Sequence, residues 1–114
     1  AASDVYKRQA QRFGAPYLAV IGNNSAMNQI RYGQLAKYGE ERGDVGNKLG
    51  DVPFSKFGEM IGGYGEEVTE ASQIQPALQR AREAIAKTGR CAVVNVWVDP
   101  DEYAPGTKAQ TMYK

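Results

Sequence analysis

A polar turn directly after an apolar segment carries the strongest chemical signal in this sequence of 114 residues. Residues 17–21 are apolar, and Gly22 separates them from Asn23, Asn24 and Ser25. Such a run predicts a strand that is buried on both faces, as in a parallel sheet. An asparagine oxygen and backbone carbonyls are hard ligands that suit Mg²⁺, and the amides of a following helix start can hold a phosphate. Taken alone, the same residues also fit a simple turn with an asparagine helix cap.

Two features of the composition exclude whole classes of chemistry. The chain has no histidine, which excludes Ser-His-Asp catalysis, Cys-His catalysis and His-ligated zinc from this chain. Its single cysteine, Cys91, cannot form an internal disulfide, and its apolar neighbours predict a buried structural thiol. The net charge of +1 gives no reason to expect a nucleic-acid or membrane partner. Since there is also no spanning-length apolar run and no signal-peptide pattern, we expect a cytoplasmic protein.

The remaining patterns predict an α/β domain with a parallel sheet and helices on both faces. In chain order, apolar spacing and turn residues predict a strand at 17–21, a helix at 27–38, a loop at 39–52, a helix at 53–61, a strand at 66–69, a helix at 72–88 and a buried strand at 91–98. The helix at 72–88 has the clearest apolar stripe, and Gly89 is its expected stop. Alternation of strands and helices is typical of parallel sheets.

The two ends of the chain need a separate interpretation. Residues 1–9 match a peptide that one reading frame of a widely used transposon-end sequencing adapter encodes. We therefore expect residues 1–9 to be an artefact, the alternative being a genuine helix start. One domain would then occupy residues 10–100, with its upstream part missing, followed by a tail at 101–114. That tail would either fold over a site as a lid or lie loosely on the surface.

The order of four segments agrees with one known family. Residues 12–24, RFGAPYLAVIGNN, resemble the end of a motif that begins with Gly-Asp-Gly and closes in a strand and Asn-Asn. Residues 53–68 look like a helix, glycine turn and strand, residues 74–84 like the next helix, and residues 92–100 like a last strand. Together they resemble the C-terminal, pyrophosphate-binding domain of thiamine diphosphate-dependent enzymes. The resemblance implies that residues 10–100 are the C-terminal part of a thiamine diphosphate-binding fold.

The resemblance also implies thiamine diphosphate and Mg²⁺ as cofactors. In the family, the second asparagine of the pair binds Mg²⁺ through its side chain, and the residue two further on binds it through its carbonyl. Here these residues are Asn24 and Ala26. Met27 and Asn28 would lie against the diphosphate by backbone contact. The third protein ligand, the aspartate of Gly-Asp-Gly, is absent, and we expect it upstream. Because the cofactor carries the carbanion chemistry and the activating glutamate belongs to another domain, no catalytic residue is assigned here.

The implied activity is that of an enzyme that decarboxylates or condenses 2-keto acids, as in the acetolactate synthase-like, benzoylformate decarboxylase and oxalyl-CoA decarboxylase group. Gly33 stands where acetolactate synthases proper have a tryptophan, which argues against acetolactate synthesis in particular. One alternative is a 2-hydroxyacyl-CoA lyase or oxalyl-CoA decarboxylase, and another is a non-catalytic α/β domain for subunit association. The resemblance further implies a 2-keto acid or acyl-CoA substrate and a homodimer or homotetramer. The chain alone is expected to be inactive.

Overall fold

The computed structural model describes residues 2–102. Its elements, in chain order, are α1 (Ala2–Arg12), β1 (Leu18–Asn23), α2 (Asn28–Gly43), α3 (Ser55–Met60), β2 (Tyr64–Val68), a 3₁₀ turn (Ala71–Gln73), α4 (Ile74–Thr88) and β3 (Ala92–Trp97). Residues 103–114, and with them most of the expected tail or lid, lie outside the described part. Within residues 2–102, no helix is both long and apolar enough to cross a membrane.

The described part of the chain divides into two compact units. The sheet unit comprises residues 2–22 and Pro53–Trp97, and the turn unit comprises Asn23–Val52 and residues 98–102. The first unit holds nearly all of the sheet with α1, α3 and α4. The second holds the polar turn and α2.

The sheet has three strands in the order β1-β3-β2, with β2 and β3 parallel. Ala92 and Val94 of β3 are fully buried against Ala77 and Ala81 of α4 in one core cluster. The alternate residues of β3 point to the other face, where Val93 lies beside Gly58 of α3. The helices therefore cover both faces, and the predicted α/β fold is confirmed.

The strand at 17–21 was expected to be buried on both faces, and that expectation is wrong for β1. β1 is an edge strand, and the side chain of Val20 is 52% exposed. β3, in contrast, is central, and residues 91–95 are all buried as expected. Apolar composition identifies a strand, but it does not distinguish an edge from a centre, because that depends on which strands pair.

Several elements also differ at their ends from the expected ones. The expected helix at 27–38 ends where Gly39, with φ 77° and ψ 173°, leaves helical geometry. A second helical stretch follows this kink and continues to Gly43, where a loop was expected. Glycine adopts such a positive φ at little cost, so the chain can turn at this point. β2 begins at Tyr64, inside the expected glycine turn. Residues 2–12 form helix α1, and whether residues 1–9 are an artefact stays a prediction.

A polar cluster ties β2, β3 and α3 together inside the sheet unit. The carboxylate of Glu67 accepts hydrogen bonds from the hydroxyl and the backbone N–H of Ser55 and, at 2.6 Å, from the amide nitrogen of Asn95. Burial raises the pKa of Glu67, but the hydrogen bonds, led by those from Ser55 and Asn95, together outweigh it. The pKa of Glu67 therefore lies below its ordinary value.

This cluster predicts a specific sensitivity to acid. A carboxyl whose pKa is lower in the folded than in the unfolded chain stabilises the fold above its unfolded pKa, and that contribution is lost as the pH falls through the folded pKa. We expect Glu67→Gln to lower the melting temperature at neutral pH and to flatten its fall below about pH 4.5. Glu83→Gln, on the exposed face of α4, is the control. Parallel pH profiles for wild type and Glu67→Gln would contradict the assignment.

Candidate functional site

The side chains of both asparagines in the polar turn form hydrogen bonds with backbone groups of other residues. The buried Asn23 donates from its amide nitrogen to the carbonyl of Val52 at 2.8 Å, and its oxygen accepts the Ser25 N–H at 3.0 Å. The oxygen of Asn24 accepts the Ala26 N–H at 3.2 Å. These are the local bonds that asparagine favours in turns. The predicted turn is therefore present, but neither asparagine caps α2.

Ser25, between them and the helix, has an unusual backbone. Its φ of 55° lies in the left-handed region, which costs a non-glycine residue on the order of 1–3 kcal/mol. Two contacts hold it there. Its hydroxyl donates to Asp51 at 2.6 Å, and its carbonyl accepts the Leu49 N–H at 2.8 Å. The surrounding loop thus fixes the direction in which the chain enters Ala26.

Ala26 lies opposite Lys48 in an isolated antiparallel bridge. The two bonds of the bridge flank this pair: the Met27 N–H donates to Asn47 and the Leu49 N–H donates to Ser25, both at 2.8 Å. In such a pair the two opposite residues do not bond to each other, and their own N–H and C=O groups point outward. The carbonyl of Ala26 therefore faces away from the segment that contains Lys48.

The start of α2 offers backbone donors. Met27 is the N-cap residue and provides no side-chain cap, while its carbonyl accepts the N–H groups of Ile30 and Arg31 at 3.1 and 2.9 Å. The first N–H groups of a helix have no partner within the helix, and the helix dipole adds positive potential there. The side chain of Asn28 is engaged elsewhere, since it donates to the carbonyl of Pro100 at 2.6 Å.

A buried arginine organises the charges of the turn unit. Arg31 is 8% exposed and forms ion pairs with Asp44 and, at 2.8 Å, with Asp101. The hydrogen bond to Asp44, followed by that to Asp101, raises the pKa of Arg31. The hydrogen bond from Arg31, followed by that from Lys48, lowers the pKa of Asp44. Both groups therefore keep their charges throughout the physiological pH range.

The polar turn, α2 and the loop around Lys48 line a cavity of about 280 Å³ in the turn unit. Its lining includes Asn24, Ser25, Ala26, Lys48, Asp51 and Asp101. Two of the four predicted site residues, Asn24 and Ala26, are therefore brought together at the cavity. Met27 and Asn28 follow them at the start of α2. Within residues 2–102, no group of three or more cysteine, aspartate or glutamate side chains could hold a metal by itself.

Comparison with protein families identifies the domain. The family model described as "Thiamine pyrophosphate enzyme, C-terminal TPP binding domain" matches residues 8–96, which is most of the chain. The chain belongs to this family. The match includes the turn, all of α2 and the segment around Lys48, so the cavity lies almost entirely within the TPP-binding domain. The predicted resemblance is confirmed at the level of the family, and thiamine diphosphate is supported as its cofactor.

Sequence reasoning missed the charged residues of this TPP-binding domain. Arg31, Lys48 and Asp51 were not singled out, and residues 39–52 were interpreted only as a loop of mixed charge. The one local signal was the spacing of Asp44 and Lys48, four residues apart, whose side chains pair at 2.9 Å. The contact between Arg31 and Asp101 spans 70 positions, and no local pattern could have indicated it.

Proposed function

We propose that this chain is the part of an enzyme that binds thiamine diphosphate and Mg²⁺, and that the enzyme decarboxylates or condenses 2-keto acids. The main support is the cavity that brings Asn24 and Ala26 together, in a chain that belongs to the TPP-binding family. Along the chain, Asn24 directly follows Asn23, the last residue of β1, and ligands of open parallel sheets are bound by residues that follow the strands.

The donor set fits a hard cation. Among the described residues, the oxygen of Asn24 accepts a bond of 3.2 Å within its own turn and no other, and the carbonyl of Ala26 faces away from its bridge partner. Amide and carbonyl oxygens suit Mg²⁺, which usually keeps waters and shares its remaining positions with phosphate oxygens. The family resemblance suggests a further ligand, the aspartate of an upstream Gly-Asp-Gly.

The backbone at the start of α2 suits a diphosphate. The N–H of Asn28 has no intrahelical acceptor, and the helix dipole favours an anion at this position. The Met27 N–H already donates to Asn47, so in this proposal Met27 borders the phosphates without donating that bond. The four residues Asn24, Ala26, Met27 and Asn28 would thus hold the metal and the diphosphate.

In this proposal the cofactor supplies the chemistry, and the residues of the chain bind and orient it. When bound, thiamine diphosphate supplies the electron sink for the carbon that loses its carboxylate. The chain's own residues bind and orient: Asn24 and Ala26 hold the metal, and the Arg31–Asp44 pair fixes the helix and loop around it. Because Arg31 stays protonated and Asp44 stays ionised, neither group would exchange protons during the reaction.

An acyl-CoA substrate is the second candidate, as in a 2-hydroxyacyl-CoA lyase or oxalyl-CoA decarboxylase. The observation in its favour is Gly33, which is exposed on α2, and a Cβ built there would meet no atom within 4 Å. The tryptophan of acetolactate synthases would stand at this position, so its absence argues against acetolactate synthesis in particular. In either case we expect a homodimer or homotetramer, which light scattering on the full-length protein would test.

Cofactor titration tests the proposal. We expect calorimetry on the full-length protein to show one saturable thiamine diphosphate site per chain in Mg²⁺, and loss of that site when EDTA removes the metal. Thiamine without phosphates is the control ligand, and it should bind far more weakly. Absence of binding in Mg²⁺ would contradict the proposal and favour the non-catalytic α/β domain. If binding is present, assays with 2-keto acids and acyl-CoA esters decide between the two substrate classes.

A further inference from the structure

We propose that Lys48 is a diphosphate-binding residue, whose ammonium group leaves Asp44 for a phosphate oxygen when the magnesium-complexed ligand occupies the cavity. The inference deepens the proposed function and rests on it. No sequence motif singles out Lys48, and its role follows from its position in the turn unit.

The backbone of Lys48 is fixed beside the proposed metal ligand. It lies directly opposite Ala26, and hydrogen bonds of 2.8 Å on either side of the pair hold the two segments together. Side chains of opposite residues in an antiparallel pair extend from the same face. Lys48 also lines the cavity together with Asn24 and Ala26. The backbone of a long cationic side chain is thus fixed opposite Ala26, and this side chain lines the same cavity as Asn24.

The ammonium group of Lys48 is free to change partners. Its side chain is 67% exposed, and its contact with Asp44, at 2.9 Å, is an exposed pair of the kind that contributes little to stability. Asp44 would not be left alone, because the buried Arg31 also pairs with it. Arg31, in contrast, is held by two carboxylates and is not available in the same way.

The charges around the cavity favour a diphosphate that is complexed with magnesium over a free diphosphate. Lys48 shares the lining with the carboxylates of Asp51 and Asp101, which would repel a free diphosphate. Asp101 is paired with Arg31, and Asp51 accepts the hydroxyl hydrogen bond of Ser25. A diphosphate whose charge Mg²⁺ has partly neutralised suits this mixed lining, and one lysine can then contact a phosphate oxygen that the metal leaves open.

Two lysines of this chain form a matched pair for the test. Lys56 is 68% exposed and lies 2.9 Å from Glu59, so it has nearly the same exposure and ion pair as Lys48, but it does not line the cavity. In the full-length protein with saturating Mg²⁺, we expect Lys48→Ala to raise the dissociation constant for thiamine diphosphate about tenfold. Lys56→Ala should leave it unchanged, and Lys48→Arg should retain most of the affinity. The affinity of the wild type should also fall more steeply with salt than that of Lys48→Ala.

The outcomes separate this inference from the proposed function. If the wild type does not bind thiamine diphosphate, the proposed function fails and the inference fails with it. If the wild type binds and Lys48→Ala binds equally well, only the inference is overturned. Equal losses in Lys48→Ala and Lys56→Ala would reveal a general charge effect, and an equal loss of affinity for thiamine would reveal a structural role. Either result overturns the inference, and circular dichroism of each variant checks folding.

Discussion

Replacing Gly63 with alanine is expected to cost the sheet unit about 3 kcal/mol of stability or more. An added Cβ would lie 2.1 Å from the carbonyl oxygen of Cys91 and 3.2 Å from that of Gly58. Both are backbone atoms, so no side chain can rotate away to make room. The close approach exists because the Tyr64 N–H donates to the Cys91 carbonyl at 2.9 Å, which brings the start of β2 against β3.

Gly33→Ala is the matched control for this substitution. Gly33 is exposed within α2, and an added Cβ there meets no atom within 4 Å. Alanine in a helix interior is favoured over glycine by roughly 0.5–1 kcal/mol, so this variant should be as stable as the wild type or slightly more stable. Urea unfolding followed by circular dichroism measures both. A midpoint for Gly63→Ala close to that of the wild type would show that β2 and β3 can separate at this point.

The second large effect concerns the proposed metal ligand. We expect Asn24→Ala to weaken thiamine diphosphate binding at fixed Mg²⁺ by at least tenfold, since even residues that only support a metal ligand typically contribute 10–100-fold. The domain should stay folded, because in the described part of the chain the Asn24 side chain bonds only within its own turn, at 3.2 Å, and its removal leaves no core cavity. Calorimetric titrations with Mg²⁺ and with cofactor measure the change.

Two neighbouring variants sharpen this test. Asn24→Asp keeps an oxygen at the same position and should retain binding. Asn23→Ala should have the opposite profile: Asn23 is buried and bridges Val52 and Ser25, so its loss should cost about 1–3 kcal/mol of stability. If Asn24→Ala bound the cofactor as the wild type does, the assignment of Asn24 to the metal would be wrong.

Local pattern in the sequence was sufficient for a large part of the fold. The apolar stripe of α4 does pack into the core through Ala77 and Ala81, and Gly89 does end that helix with a φ of 66°. β3 is buried from Ala92 to Asn95 as its apolar run predicted, whereas Val98, at the end of the expected strand, is 45% exposed. In these segments the spacing of the apolar residues matches the repeat of the helix or strand, so residues close together in the sequence are sufficient to predict the element. The turn with Asn24 was predicted in the same way, from polar residues that follow a strand.

Other features depended on contacts that no sequence period describes. β1 was recognised as a strand, but its place at the edge depends on which strands pair with it. Glu67 meets Asn95 because the register of β2 and β3 sets them opposite each other. Lys48 faces Ala26 only because the loop returns to form a bridge. Only the tertiary structure decided these pairs. The partners of a buried or bridging polar group lie far apart in the sequence, and they meet only where strand pairing or a returning loop brings their segments together.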